Sequence, residues 1–393
     1  MALFVDLYPL SQQATNDALE MIFKSTHNHD DGIWKPHESL LIRRLVELFT
    51  KRGLDRLEHV KEQILAWQSG ANHRTGTAAP VTPPGMMERW SPAELDLVRL
   101  YLESLPPAQW TLDDHMMAVD YVVQRYLPAD ELRTEAEWLA TRAGLMGKVQ
   151  ANLAAAAVSA KAADLILAAL PSTVAEAASV FSLSAAEKAA LDFARMRTVE
   201  NVRALTDGVR HKMRSVVVQH LEEQQAKASG VPSSSLQSKL LDEFATLNRD
   251  WRRIAVTEAG EAQLQGYIAS LPPGTKVKRV EQYENACGFC KKIDGVVATV
   301  VSPDHPDKDP ETQIWVGKNN IGRSASPMKR VGGVLVPREA HEKYWLPAGL
   351  VHPHCRGRWV PVVEDQPEDD AEFGDWLRKL LGDHNGGGNS TNP

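Results

Sequence analysis

All three cysteines of the chain lie in its last third, within two short motifs. Cys287 and Cys290 form a C-x2-C pair, and His352 and Cys355 repeat the same gap with an imidazole in place of one thiolate. A two-residue gap lets both donors of a pair face one ion, and Zn2+ prefers tetrahedral sulfur and nitrogen ligands. The pattern therefore predicts a zinc site formed by Cys287, Cys290, His352 and Cys355.

The predicted site is structural rather than catalytic, because four protein ligands leave no coordination position for water or substrate. A long segment separates the two pairs, so the ion would join the ends of one small module and contribute to its folding free energy. Two alternatives stay open. His354 could replace His352 as the nitrogen ligand, and Cys287 with Cys290 could be an ordinary reduced pair or a redox pair.

Composition narrows the class of protein. The net charge of −7 argues against a chain whose main task is wrapping nucleic acid, since phosphate neutralisation needs a clustered basic surface. Three cysteines are too few for a disulfide scaffold and favour a reducing compartment. The first residues lack a signal-peptide pattern, and Lys161 and Asp164 interrupt the alanine-rich stretch Leu153–Leu170. We expect a soluble protein with no membrane segment.

Hydrophobic periodicity predicts a mainly α-helical N-terminal and central region followed by a small α+β zinc-binding module. The predicted segments run along the chain as follows: an N-terminal helical region at 1–68, a linker at 69–90, a helical domain at 91–180, a second helical region at 181–269, the C-terminal module at 270–363, and an acidic, Gly/Asn-rich tail at 364–393 whose last ten or so residues we expect to be disordered.

Helix boundaries are marked by local signals. Ser91, Thr111 and Ser184 each precede an acidic residue by three positions, the pattern of a capping box. The apolar stripe that begins at Leu41 indicates either one amphipathic helix or a helical hairpin broken near Gly53. Two further helices are predicted, one from Ser184 to about Gln225 and one over Leu236–Ile268.

The C-terminal module is predicted to contain short strands at Lys276–Gln282, Val296–Val301, Gly333–Val336 and Trp359–Val363. It is too short to enclose a large core of its own. We therefore expect it to dock on the Leu236–Ile268 helix.

Several motifs in this region occur in a familiar order. The segment Trp251–Ala259 resembles the R-I-A-R-T-E helix of the Mu F-like minor head proteins of tailed phages. It is followed by Gln265-Gly266, by the C-x2-C pair, by an Asp294-Gly295 turn and by the closing His352–Arg356 motif. The resemblance covers residues 184–363. The chain departs from the family pattern at Val256, where an arginine is usual, and at Gly357, where the family commonly has another cysteine.

This resemblance implies a non-enzymatic component of the virion that takes part in prohead assembly and head morphogenesis. Its expected partners are the phage portal and the major capsid or scaffold proteins, with DNA contact in the head as a further expectation and no small-molecule substrate. The expected location is the head interior or the portal vertex, after synthesis in the host cytoplasm.

Two rival functions are kept. A zinc-stapled HNH-like nuclease would use Asp304 and His305 with Asn319 or Asn320, although prolines on both sides of the Asp-His pair disfavour that setting. A protein-binding adaptor outside the virion would have much the same sequence pattern.

Two groups of charged residues receive structural interpretations. Asp113, Asp114, His115 and Asp120 could be read as a second metal cluster, but helix-start acids explain the first two more simply. Glu258 is predicted to pair with Arg252, Arg253 or a neighbouring loop.

Overall fold

The computed structural model describes most of the chain. The described residues are 40–75, 85, 89–152, 160–227, 235–282, 286–353, 355–362 and 371–382. Residues 1–39 of the predicted N-terminal region, most of the predicted linker, His354 and the last eleven residues lie outside these ranges.

Long helices make up the N-terminal and central regions, as the periodicity predicts. Their bounds are α1 Leu40–Ser69, α2 Pro92–Ser104, α3 Leu112–Tyr126, α4 Ala129–Asn152, α5 Ala160–Ala169, α6 Val174–Val180, α7 Ala185–Lys227 and α8 Leu236–Ala269. Short 3-10 turns occur at Pro107–Gln109 and Ala340–Glu342. Within the described ranges, no single helix is both long and apolar enough to cross a bilayer; the pair Lys161–Ala169 and Val174–Val180, bent by 97°, meets that criterion only when joined.

Capping explains where these helices begin. Ser91 and Thr111 accept hydrogen bonds from the amides of Glu94 and Asp114, and both carboxylates return to the cap amides. Ser184 does the same for α7, since its hydroxyl accepts from the Glu187 amide at 3.2 Å. These three predictions from the sequence are confirmed, because a capping box needs only two residues that lie three positions apart.

The described residues form two compact units, each built from separate stretches of chain. The first unit contains the described residues of Thr50–Leu132 and Val202–Arg252. The second unit contains residues 40–49 and the described residues of Arg133–Asn201 and from Arg253 onward. The linear segments named above stay predictions.

The first unit has a helical core with an aromatic centre, where the Trp67 ring packs edge-on against Tyr121 at 5.6 Å. Gly53 lies inside α1, so the helix is continuous and the hairpin alternative is wrong. A Cβ at Gly53 would lie 1.9 Å from the Trp251 ring. The glycine therefore admits a large side chain of the neighbouring helix.

The second unit contains the C-terminal module. Its strands are β1 Lys276–Val280, β2 Val297–Val300, β3 Gln313–Ile314, β4 Met328–Val331, β5 Val334–Pro337 and β6 Arg358–Pro361, with a short helix α9 over Gly288–Ile293. One sheet has the order β3-β2-β1-β6, in which β1 pairs antiparallel with β2 and β6 while β2 and β3 are parallel. β4 and β5 form a separate hairpin.

The module shares one apolar core with the end of α8, as expected from its small size. The buried members include Leu264, Tyr267 and Ile268 of α8 together with Val277, Val300, Ile314, Cys290, Cys355 and Trp359 of the module. The helix thus supplies apolar surface that the short strands lack.

Two features of the second unit were not predicted. β3 has only two residues, and in β4 the adjacent Lys329 and Arg330 interrupt the apolar pattern that marks a strand. The helix α10, Ala371–Gly382, lies within the segment predicted as a tail. Phe373 of this helix is buried, and its ring centroid lies 5.1 Å from that of Phe181.

Candidate metal centre

The first cysteine pair sits at the start of α9. Cys287 is the N-cap residue of this helix, and its sulfur accepts a hydrogen bond from the Cys290 amide at 3.4 Å. Cys290 lies in the first turn and is buried, whereas Cys287 is half-buried. The helix start therefore turns both sulfurs to one side of the short helix.

The second pair lies in the turn before β6. The Cys355 amide donates to the His352 carbonyl at 3.0 Å, which closes the turn. The Nδ1 atom of His352 lies 2.9 Å from the Pro353 carbonyl, and its Nε2 atom lies 3.5 Å from the Cys290 sulfur. The Cys290 and Cys355 sulfurs are 4.0 Å apart. The two distant motifs therefore meet around Cys290.

The donor atoms form two overlapping triads that share Cys290. Cys287, Cys290 and His352 make the first, and Glu281, Cys290 and Cys355 make the second; within each triad all donor atoms lie within 4.8 Å of one another. The four residues predicted from the sequence are thus brought together. Glu281 was missed, because a single acidic residue after a strand gives no spacing signal.

These separations fit a tetrahedral ion. Bonds of roughly 2.3 Å to sulfur and 2.05 Å to nitrogen place two sulfurs about 3.8 Å apart and a sulfur and nitrogen about 3.5 Å apart. The distances around Cys290 are close to these values. Three thiolates and an imidazole are donors that suit a borderline-soft divalent cation.

The local electrostatics favour deprotonated thiols. The hydrogen bond with Cys290 lowers the pKa of Cys355 well below its usual value, against the effect of burial and with help from the Arg279 guanidinium. Burial raises the pKa of Cys287, but hydrogen bonds from Cys290 and His352 lower it more, so it is lowered overall. Metal binding needs the thiolate form, and both shifts act in that direction.

The residues of the nuclease alternative have other roles in the structure. Asp304 and His305 are exposed in a loop of turns, without the strand-then-helix setting of that chemistry. The Asn319 side chain donates to the Gly317 carbonyl at 2.8 Å. The Asn320 side chain bridges the carbonyls of Trp345 and Val351. Both asparagines therefore bind the backbone of their own module.

The acidic group on α3 does not converge on one point. Asp114 accepts from the Thr111 amide at 2.8 Å, as expected for a helix cap. His115 lies 2.7 Å from the Gln68 side chain. Asp120 is fully buried and accepts from Arg210 and Arg214, each through Nε at 2.8 Å. These contacts support the structural interpretation.

Glu258 has a different partner from those predicted. Its carboxylate accepts from Arg197 Nε at 3.0 Å and from the Asn201 side chain at 3.0 Å, both on α7. Burial raises its pKa despite the arginine. The neighbouring Glu261 accepts from the Leu350 amide at 2.6 Å, which attaches α8 to the loop before His352.

No protein-family model matches the sequence, no curated protein matches it, and no solved structure matches the fold.

Proposed function

We propose that this chain is a minor head protein of a tailed phage that takes part in prohead assembly near the portal, and that a structural zinc ion holds its C-terminal module together. The observation that carries the proposal is the meeting of Cys287, Cys290, His352 and Cys355 from the two ends of that module.

Zinc fits the site best because of the types of the donor atoms and because these atoms are buried. Cys290 and Cys355 are almost fully buried, and the set offers three sulfurs and one nitrogen. Zn2+ accepts this combination in closed tetrahedral sites, whereas Mg2+ and Ca2+ prefer oxygen. When bound, the ion would supply a cross-link and no reaction step.

The cross-link would stabilise a module whose own elements are short. The strands of the module are two to five residues long, and its core is completed by α8. A cross-link between α9 and the turn before β6 would hold β6 at its edge of the sheet, because β6 pairs with β1 directly after that turn. Small domains commonly use metal ions in this way.

The virion role rests on the order of motifs along residues 184–363. The helix that carries Trp251–Ala259 leads directly into the module, and the buried Glu258 and Glu261 connect that helix to α7 and to the loop before His352. The residues that carry the resemblance thus form one connected framework. Portal and major capsid or scaffold proteins are the partners that this proposal names.

Two measurements test the proposal in sequence. Elemental analysis of the purified full-length chain should give about one zinc per molecule, and Cys290→Ser should abolish it while Lys291→Ser, an exposed change in the same helix, should not. Co-expression with phage portal and capsid proteins should then recover the wild-type chain in assembled proheads. A metal-free wild-type protein, or one excluded from proheads, contradicts the corresponding half of the proposal.

A further inference from the structure

A buried ion pair lies beside the predicted ligands. The side chains of Arg279, at the end of β1, and Glu281, just after it, are fully buried, and the Arg279 Nε donates to Glu281 Oε1 at 2.7 Å. Arg279 also donates to the Gly349 carbonyl at 3.0 Å and lies 3.8 Å from the Cys355 sulfur. The carboxylate of Glu281 is therefore fixed in place at the metal centre.

The Glu281 oxygens face the cysteines. They lie 3.8 and 3.9 Å from the Cys355 sulfur, and one oxygen is within 4.8 Å of both Cys290 and Cys355 sulfurs. A tetrahedral ion with an oxygen and a sulfur ligand separates those two atoms by about 3.6 Å. The second triad is thus as well shaped for an ion as the first.

Local packing keeps space for this carboxylate. A Cβ at Gly357 would lie 2.0 Å from Glu281 Oε1, so the glycine leaves room that any larger residue would fill. A buried ion pair is not a strong source of stability by itself, because desolvation opposes the attraction. The position of the carboxylate therefore calls for a role at the site.

We propose that Glu281 is an alternative donor of the metal centre, an oxygen ligand that can occupy the coordination position of Cys355 beside Cys290, and that Arg279 is the residue that positions it. This inference rests on the proposed metal site. It implies that a divalent ion stays bound when Cys355 is lost, since Glu281 then takes the vacated coordination position together with Cys287, Cys290 and His352.

A double-mutant cycle separates a ligand from an indirect role. Co2+ affinity of the full chain is measured for wild type, Glu281→Gln, Cys355→Ala and the double variant. If Glu281 binds the ion, Glu281→Gln should weaken Co2+ binding by about 10–100-fold more in the Cys355→Ala background than in wild type. If Glu281 acts only through Cys355, its effect should disappear in that background, which would overturn the inference.

Controls keep the two proposals apart. Lys278→Met, an exposed change on the same strand as Arg279, should leave Co2+ affinity unchanged, whereas Arg279→Met should lower it. Failure of the wild-type chain to bind Co2+ at all would reject the metal site itself, and the Glu281 inference with it. Binding by wild type with no extra loss in the double variant would reject only the role of Glu281.

A second variant covers loss of folding by Cys355→Ala. In Glu281→Ala/Gly357→Cys, a thiolate replaces the carboxylate in the space that faces Gly357. The sulfur-to-cobalt charge-transfer absorbance should rise above that of wild type if this space is a coordination position. Absorbance unchanged from Glu281→Ala alone would overturn the inference.

Discussion

Lys318 carries an ammonium group into the interior of the C-terminal module. Its Nζ donates to the carbonyls of Pro310 and Gln313, each at 2.7 Å, and lies 4.7 Å from the Trp315 ring and 5.3 Å from the Trp345 ring. Burial lowers its pKa to about 8. The side chain thereby holds the loop before it against two aromatic rings, at the cost of desolvating a cation.

This arrangement predicts a pH dependence of stability. The pKa of Lys318 is 10.5 for an ordinary lysine side chain and about 8 in the folded protein. Between these pH values the unfolded chain therefore binds the proton more tightly than the folded chain does. Burial of the protonated Lys318 ammonium destabilises the folded state. This effect is fully present below the folded pKa and disappears as pH rises through the interval between the two pKa values. The free energy of unfolding of wild type relative to Lys318→Met should therefore increase with pH there.

Denaturant unfolding at pH values on either side of the interval measures this difference. Lys278→Met, which removes an exposed lysine on β1, serves as the control and should show no comparable change. A wild-type to Lys318→Met difference that stays constant with pH would contradict the argument.

Helices α4 and α8 approach each other at backbone distance within the second unit. A Cβ at Gly147 would lie 2.2 Å from the Gln263 carbonyl oxygen, and one at Gly266 would lie 2.1 Å from the Gly144 carbonyl oxygen. The structure shows that glycines on both partners make this contact.

Gly147→Ala and Gly266→Ala should each lower the free energy of unfolding by about 1–3 kcal/mol, because the obstructing atoms belong to backbone and cannot rotate away. Gly208→Ala in α7 is the matched control, since a Cβ there meets nothing within 4 Å. It should stabilise the protein by about 0.5–1 kcal/mol through helix propensity. Thermal or urea unfolding of the three variants is the measurement, and equal effects would reject the close-contact explanation.

For the whole molecule, the proposed ion divides the chain into a part that depends on it and a part that does not. The long helices are held by their own caps and apolar contacts. The C-terminal module relies on short strands and on the meeting of its ends. Loss of the ion should therefore act on one region.

Chelation, or Cys290→Ser, should open residues 270–363 to protease while far-UV circular dichroism retains most of the helical signal. Mass spectrometry of the fragments locates the cleavage sites. Lys291→Ser should keep the wild-type cleavage pattern. A metal-free protein that resists protease as well as the metal-bound form would contradict the proposed role of the ion.

The sequence by itself determined the features that depend on neighbouring residues. Capping boxes at Ser91, Thr111 and Ser184 fixed helix starts, and the apolar period gave the extent of α8. The paired gaps of the two cysteine motifs gave four of the donors at the metal centre. Each of these signals spans a few residues, over which backbone geometry is set by local hydrogen bonds and periodicity.

The tertiary structure alone decided the features that depend on distant residues. Glu281 reaches Cys355, Glu258 pairs with Arg197, and Lys318 lies between two tryptophans, yet none of these contacts leaves a spacing in the sequence. The helix α10 is likewise formed where an acidic tail was expected. A buried charge is costly without a partner, so each of these groups must have one. The packing of the helices and strands against each other decides which partner is close enough.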